Sequence, residues 1–136
     1  MAYLARAAFF LTLLLSVPAL AQDPRDADIQ SAISRQVDAF RRDDANGAYA
    51  IASPTIQEMF GTAGNFLEMV QRGYPQVYRP RSLTFGKLQE VDGKLLQRVI
   101  IQGPDGAIVT AVYEMVQIDG RWRINGCYLL AAKDEA

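Results

Sequence analysis

From Ile29 onward the apolar positions Ile29, Ala32, Ile33, Val37 and Phe40 recur at helical spacing, while Gln30, Ser34, Arg35, Arg41 and Arg42 fill the opposite side. This pattern predicts an amphipathic helix over residues 26–42. The preceding QDPRDADIQ reads as a flexible lead, with Asp26 or Asp28 available as a cap. A second short helix is expected over 46–52. Ser53-Pro54 then supplies an N-cap with proline at the first helical position of a third helix, roughly 55–60, that Gly61 ends. Thr62 caps a fourth over 63–72, with the apolar stripe Phe66, Leu67, Met69 and Val70 and with Gly73 at its C-terminal end. The helical half closes at Tyr74-Pro75.

Beyond the linker QVYRPR the period changes from helical to alternating. Four strands are expected over 83–90, 94–102, 107–118 and 121–130, joined at Asp92-Gly93, at Gly103-Pro104-Asp105-Gly106 and at Asp119-Gly120. The two Asp-Gly pairs are strong signals for two-residue hairpins. Helices followed by an antiparallel meander make an α+β domain.

Turn registers place the side chains. A two-residue loop at Asp119-Gly120 pairs Met115 with Ile124 and Tyr113 with Gly126, and one at Asp92-Gly93 pairs Lys87 with Arg98 and Phe85 with Ile100. A four-residue or a two-residue loop in the middle hairpin gives the same facing. One face then collects Leu83, Phe85, Lys87, Leu96, Arg98, Ile100, Val109, Ala111, Tyr113, Met115, Trp122, Ile124, Tyr128 and Leu130, and this aromatic-rich side is expected to meet the helices. The other carries Thr84, Leu88, Leu95, Gln97, Val99, Thr110, Val112, Glu114, Val116, Arg123, Asn125, Cys127 and Leu129. A bulge would reverse part of this assignment. With Val99, Val112, Val116 and Leu129 the outer face is apolar enough for a homodimer interface, although antiparallel sheets also leave one face wet.

The N-terminus changes the picture of where the domain works. MAYLARAAFFLTLLLSVPALAQ has one cation, Arg6, an apolar run from Ala7 to Val17, and small residues at Ala19 and Ala21. That order is what signal peptidase reads, so residues 1–21 are expected to be a leader cut after Ala21, and the mature chain to be periplasmic or secreted. The apolar run is well short of the roughly 20 residues a membrane span requires. Gln22 is not Cys, so lipoprotein attachment is not supported. The remaining 115 residues, 22–136, suit one domain with a real core.

Charge and composition exclude several chemistries. The chain holds 14 basic and 15 acidic residues, and loss of Arg6 with the leader takes the net charge from −1 to near −2. Nothing concentrates positive charge into a nucleic-acid footprint. The single cysteine, Cys127, forms no intramolecular disulfide and reads as a small buried apolar residue. There is no histidine, which removes Ser-His-Asp and Cys-His catalysis and the usual zinc and copper ligand sets. No Gly-rich phosphate loop and no metal-spaced acid cluster occurs, so neither cofactor nor metal is expected. Carboxylate, tyrosine, lysine and arginine chemistry is what remains.

Four segments, MFGTAGNFLEMVQRGYPQVYRP, LLQRVII, YEMV and GRWRING, together resemble a bacterial domain-of-unknown-function family (number 4864) of mostly exported proteins about this long. The resemblance covers most of the mature chain, about 29–130. That family looks like a branch of the cone-shaped α+β fold shared by nuclear transport factor 2-like proteins, ketosteroid isomerases and polyketide cyclases. It implies a curved meander closed by helices. Enzymes of the wider fold place acid-base pairs inside the cone, but no Asp of this chain aligns to an isomerase base, so the resemblance brings a fold and no activity.

Within such a cone, Arg98 stands out, mid-strand among apolar neighbours with Tyr113 adjacent and Lys87 opposite. A buried guanidinium needs a partner. One reading pairs it with a helix acid, Glu58 or Glu68. The other makes Arg98, Tyr113 and Lys87, with Tyr74 or Tyr78, the polar end of an apolar pocket for a small carboxylate or carbonyl ligand. Trp122 is either core or a ligand platform. GYPQVYRP would rim the mouth. Glu114 would serve as a general base beside a tyrosine if a bulge turned it inward. Otherwise it pairs with Asn125 and Gln97 on the outer face. Three readings stay open: a non-catalytic ligand-binding or accessory module, a cofactor-free acid-base enzyme using Glu114 and a tyrosine, and a structural or protein-binding domain with a filled core.

Overall fold

The computed structural model describes residues 23–131, together with Thr12 and Leu13. The expected leader otherwise lies outside the described residues. The helices are α1 (Asp26–Arg41), α2 (Ala45–Ile51), α3 (Pro54–Phe60), α4 (Ala63–Gly73) and α5 (Pro75–Tyr78). The strands are β1 (Ser82–Val91), β2 (Lys94–Gln102), β3 (Ile108–Ile118) and β4 (Arg121–Ala131), in one antiparallel sheet of that order. Among the described residues, no helix is long and apolar enough to cross a membrane.

Local chemistry sets the helix ends. Asp44 Oδ1 accepts from Gly47 N at 3.0 Å, Ser53 Oγ from Ile56 N at 3.2 Å and Thr62 Oγ1 from Asn65 N at 3.1 Å, each satisfying an amide that its helix leaves open. Gly61 ends α3 at φ 77°, a conformation costly for a side chain. Two expectations change. Asp26 and Asp28 sit inside the first turn of α1, where they complement its dipole, and Arg25 is the capping position, its side chain bonding Asp23 and Glu90 in place of the helix amides. The linker after Tyr74 is partly helical, because Pro75 opens α5.

The outer hairpins turn as expected, with Asp92 and Gly93 at φ 52° and 77° and Asp119 and Gly120 at 50° and 77°. The middle one does not. Gly103 N donates to Ala107 O at 2.8 Å and Gly106 N to Gly103 O at 3.0 Å, so Pro104-Asp105-Gly106 is a three-residue loop with Gly106 at φ 85°. This is the type I turn with a following left-handed glycine. An odd loop turns β2 over relative to β3, pairing Val99 with Ala111 and Gln97 with Tyr113.

Bulges complete the correction. Gly86 and Lys87 of β1 together oppose Arg98, so Phe85 pairs with Val99. In β4 the register shifts between Glu114 and Met115: Ile124 still faces Met115, but Tyr113 pairs with Cys127. The helix-facing side therefore holds Leu83, Phe85, Leu88, Leu95, Gln97, Val99, Ile101, Val109, Ala111, Tyr113, Met115, Trp122, Ile124, Cys127 and Leu129, which form or pack on the core with α1, α2, α4 and α5, Gln97 being its polar exception. Leu96, Arg98, Ile100, Tyr128 and Leu130 move to the outer face, and Val99 and Leu129 leave it. That face exposes Ile100, Ile108 and Tyr128, at 45%, 55% and 49%.

Candidate functional site

A cavity of about 210 Å³ lies between the helices and the last two strands. Gln36 and Phe40 reach it from α1, Ile56, Met59 and Phe60 from α3, Phe66, Met69 and Val70 from α4, and Val77 from α5. Ala52 and Tyr74, at helix ends, complete that wall, and Tyr113, Ile124, Gly126 and Cys127 form the floor. The lining is apolar because the stripes of three helices converge on it. Met59, 67% exposed, stands at its edge. Phe66 packs against Phe40, Tyr49 and Phe60 with ring centroids 6.0, 5.7 and 5.8 Å apart, holding α4 against its neighbours.

Four lining residues bring polar atoms, and most of those atoms are engaged. Gln36 Nε2 donates to Ala48 O at 3.1 Å, tying α1 to α2. Tyr74 Oη donates to Cys127 O at 3.0 Å. Burial raises the Tyr74 hydroxyl above the ordinary tyrosine range. Tyr113 is 1% exposed, and its hydroxyl is enclosed with no oxygen or nitrogen partner. It lies beside the Cys127 thiol, a weak partner. Burial holds Tyr113 protonated well above its ordinary range and pushes the Cys127 thiol up to about 12, so both are neutral near pH 7.

The bulge at Asn125 creates this floor. Its extra residue carries Cys127 inward opposite Tyr113. Asn125 is itself held on both sides: Ser53 Oγ donates to Asn125 Oδ1 at 2.7 Å, and Asn125 Nδ2 donates to Glu114 Oε2 at 2.8 Å. Ser53 N donates to Ile124 O at 2.8 Å, which fixes the start of α3 on β4 beside the cavity.

The residues singled out from the sequence scatter. Tyr74 and Tyr113 line the cavity. Arg98 projects from the outer face of β2, opposite Val112, and so faces neither the cavity nor the helices that carry Glu58 and Glu68. Glu68 instead meets Arg72 at 2.6 Å. Lys87 is exposed in the β1 bulge. Tyr78 belongs to a clamp between the end of α1 and α5: its hydroxyl donates to Asp43 and accepts from Gln71 Nε2, while Arg79 lies over its ring and also reaches Asp43 and Phe40 O. Trp122 is half-buried against the core and outside the cavity lining. Glu114 stays on the outer face with Asn125 and with Lys94 at 3.6 Å. Gln97, expected beside it, is buried on the inner face. Among the described residues no cluster of His, Cys, Asp or Glu is placed to hold a metal.

Sequence reasoning missed Cys127, Gln36 and the methionines as cavity residues. For Cys127 a signal existed: Gly126 inside an expected strand marks a break in pairing, as Gly86 does in β1.

The family model described as Domain of unknown function (DUF4864) matches residues 22–136. The chain belongs to this family. Among solved structures it is similar to an NTF-2 like protein of unknown function from Shewanella oneidensis MR-1, at 15% identity and a TM-score of 0.52 over 76% of this chain and 97% of that one. It is also similar to an NTF-2 like protein of unknown function from Burkholderia xenovorans LB400, at 14% identity and a TM-score of 0.48 over 79% and 86%. No curated protein matches. This member of DUF4864 therefore has the NTF-2-like fold: helices followed by a four-stranded antiparallel sheet.

Proposed function

We propose that this DUF4864 protein is an exported, non-catalytic module that holds one small apolar molecule in the cavity between its helices and β3–β4. One observation carries the reading: a cavity of about 210 Å³ whose lining holds no Lys, Arg, Asp or Glu. Apolar cavities of roughly 150 Å³ already take up benzene-sized guests, and pockets for drug-sized ligands begin near ~300 Å³, so the guest is one ring or a short branched chain. Transferring such a molecule from water is favourable by about 25 cal/mol per Å² of apolar surface buried. Met59 at the edge and Met69 in the α4 wall suit a guest of variable shape. A proton-transfer role is less well supported, because the lining contains no carboxylate and Glu114 faces away.

The test is native mass spectrometry of the purified chain with benzene, toluene and indole, repeated on Ile56→Trp, which fills the cavity from its α3 wall. A reproducible adduct that this variant abolishes is the expected result. Absence of binding to any of the three at millimolar concentration, or an adduct indifferent to Ile56→Trp, would reject the reading. Export is tested on the same chain produced with its leader in a bacterium: the recovered protein should begin at Gln22, and an intact residue 1 would reject that part.

A further inference from the structure

Building on the cavity-binding reading, we infer that the guest is neutral and carries one acceptor oxygen, which takes a hydrogen bond from the Tyr113 hydroxyl at the cavity floor. Tyr113 lines the cavity and is buried at the centre of the sheet, yet its hydroxyl has no oxygen or nitrogen partner. A buried polar group left so is costly unless something satisfies it. The neighbouring polar lining groups are engaged: the Tyr74 hydroxyl donates to Cys127 O and Gln36 Nε2 donates to Ala48 O. The thiol beside it is a poor acceptor, so the Tyr113 proton is the donor best placed to be given to a guest.

The same lining selects against charge. An anionic head would sit against Tyr113 with no cation in the wall to pair it, since Arg98 is on the outer face and Lys87 is in an exposed bulge. A carboxylate entering such a site loses its hydration without replacement. A ketone, aldehyde, ester or ether oxygen loses far less and gains one hydrogen bond. The chemical class is thus an apolar ring or chain ending in a carbonyl or ether oxygen.

Acetophenone, its near-isosteric hydrocarbon cumene, and benzoate distinguish the possibilities when titrated into the wild-type protein and into Tyr113→Phe. The ratio of ketone to hydrocarbon affinity should fall roughly three- to tenfold in Tyr113→Phe, the range for loss of one neutral hydrogen bond. Benzoate should be the weakest of the three. In the wild-type complex the acetophenone carbonyl stretch should lie below its frequency in hexane, a reading that does not depend on the variant. An unshifted stretch, an unchanged affinity ratio, or benzoate as the tightest guest would overturn the inference while leaving the cavity reading intact. Failure of both ketone and hydrocarbon to bind would overturn the two together.

Discussion

Tyr74 and Tyr113 both border the cavity and both touch Cys127, but removal of their hydroxyls should move stability in opposite directions. Tyr74 donates to Cys127 O at 3.0 Å. Replacing it by Phe loses a typical net contribution of about 0.5–1.5 kcal/mol. The Tyr113 hydroxyl is enclosed without an oxygen or nitrogen partner, so the folded state carries part of the ~1–3 kcal/mol desolvation penalty of such a group. The thiol contact returns some of it. Tyr113→Phe keeps the ring and its packing while removing that penalty, so the ligand-free protein should gain about 1 kcal/mol, or about 4 °C in melting temperature for a domain of this size. The assay is urea unfolding followed by tryptophan fluorescence, with Trp122 as the reporter. The slope with denaturant should be unchanged in both variants, showing that compactness is unaltered. A loss of 1 kcal/mol or more in Tyr113→Phe, matching Tyr74→Phe, would show that the protein itself satisfies the hydroxyl, and would refute both the sign and the basis for assigning it to a guest.

Asn125→Ala removes the link between Ser53 and Glu114 and should cost about 1–3 kcal/mol, because Ser53 and Glu114 both lose a partner; a melting curve within a degree of wild type would contradict the bulge's role in holding α3. The Asp43 carboxyl is held below its ordinary range first by the Tyr78 hydroxyl and then by Arg79. Its contribution is therefore present above pH 4 and lost as pH falls through the lowered folded value, so Asp43→Asn should lower stability at pH 6 and flatten the acid limb of the stability profile below pH 4. An acid limb unchanged by that substitution would count against the clamp, although Asp23, held down to about 2 by Arg25, keeps a residual slope. Cys127, pushed up to about 12, should resist a disulfide reagent at pH 8 and react fully in urea; a raised folded value also means stability lost as pH climbs above 9. Immediate labelling of the folded protein would place the sulfur in solvent.

The order and ends of the elements were largely legible, because the signals are local. Ser53, Thr62 and Gly61 sit at helix ends for reasons contained within three or four residues. The two Asp-Gly turns close their hairpins in the expected register beside the turn. Facing is another matter, because it is a parity carried along the whole meander. Each odd insertion inverts everything beyond it. Here there are three: the Pro104-Asp105-Gly106 loop, the Gly86-Lys87 bulge and the bulge at Asn125. Counting the middle loop as even was enough to send Arg98 inward and Gln97 outward. The glycines within β1 and β4 were the available warning that the ladders do not run unbroken.

Strand β2 shows how the facing is decided physically. KLLQRVIIQ is apolar on both sides, with Leu95, Val99 and Ile101 on one and Leu96 and Ile100 on the other, so alternation alone does not choose. Its two central residues, Gln97 and Arg98, must part company, one going in and the other out. Burying a guanidinium requires a charged partner at a cost of several kcal/mol, about 1–3 kcal/mol or less suffices for an amide that finds hydrogen bonds. Gln97 finds two for its Nε2, donating to Gly86 O at 3.0 Å and Arg98 O at 2.9 Å, and only its Oε1 is enclosed without a partner. The first acceptor belongs to the β1 bulge, so the irregularity that breaks the ladder also supplies the amide's partner. Placing the amide inward puts Val99 and Ile101 in the core, while β3 and β4 supply the cavity floor with a neutral tyrosine and a neutral thiol. The same comparison of desolvation costs that chooses the face of β2 thereby keeps its guanidinium on the side of the sheet away from the cavity.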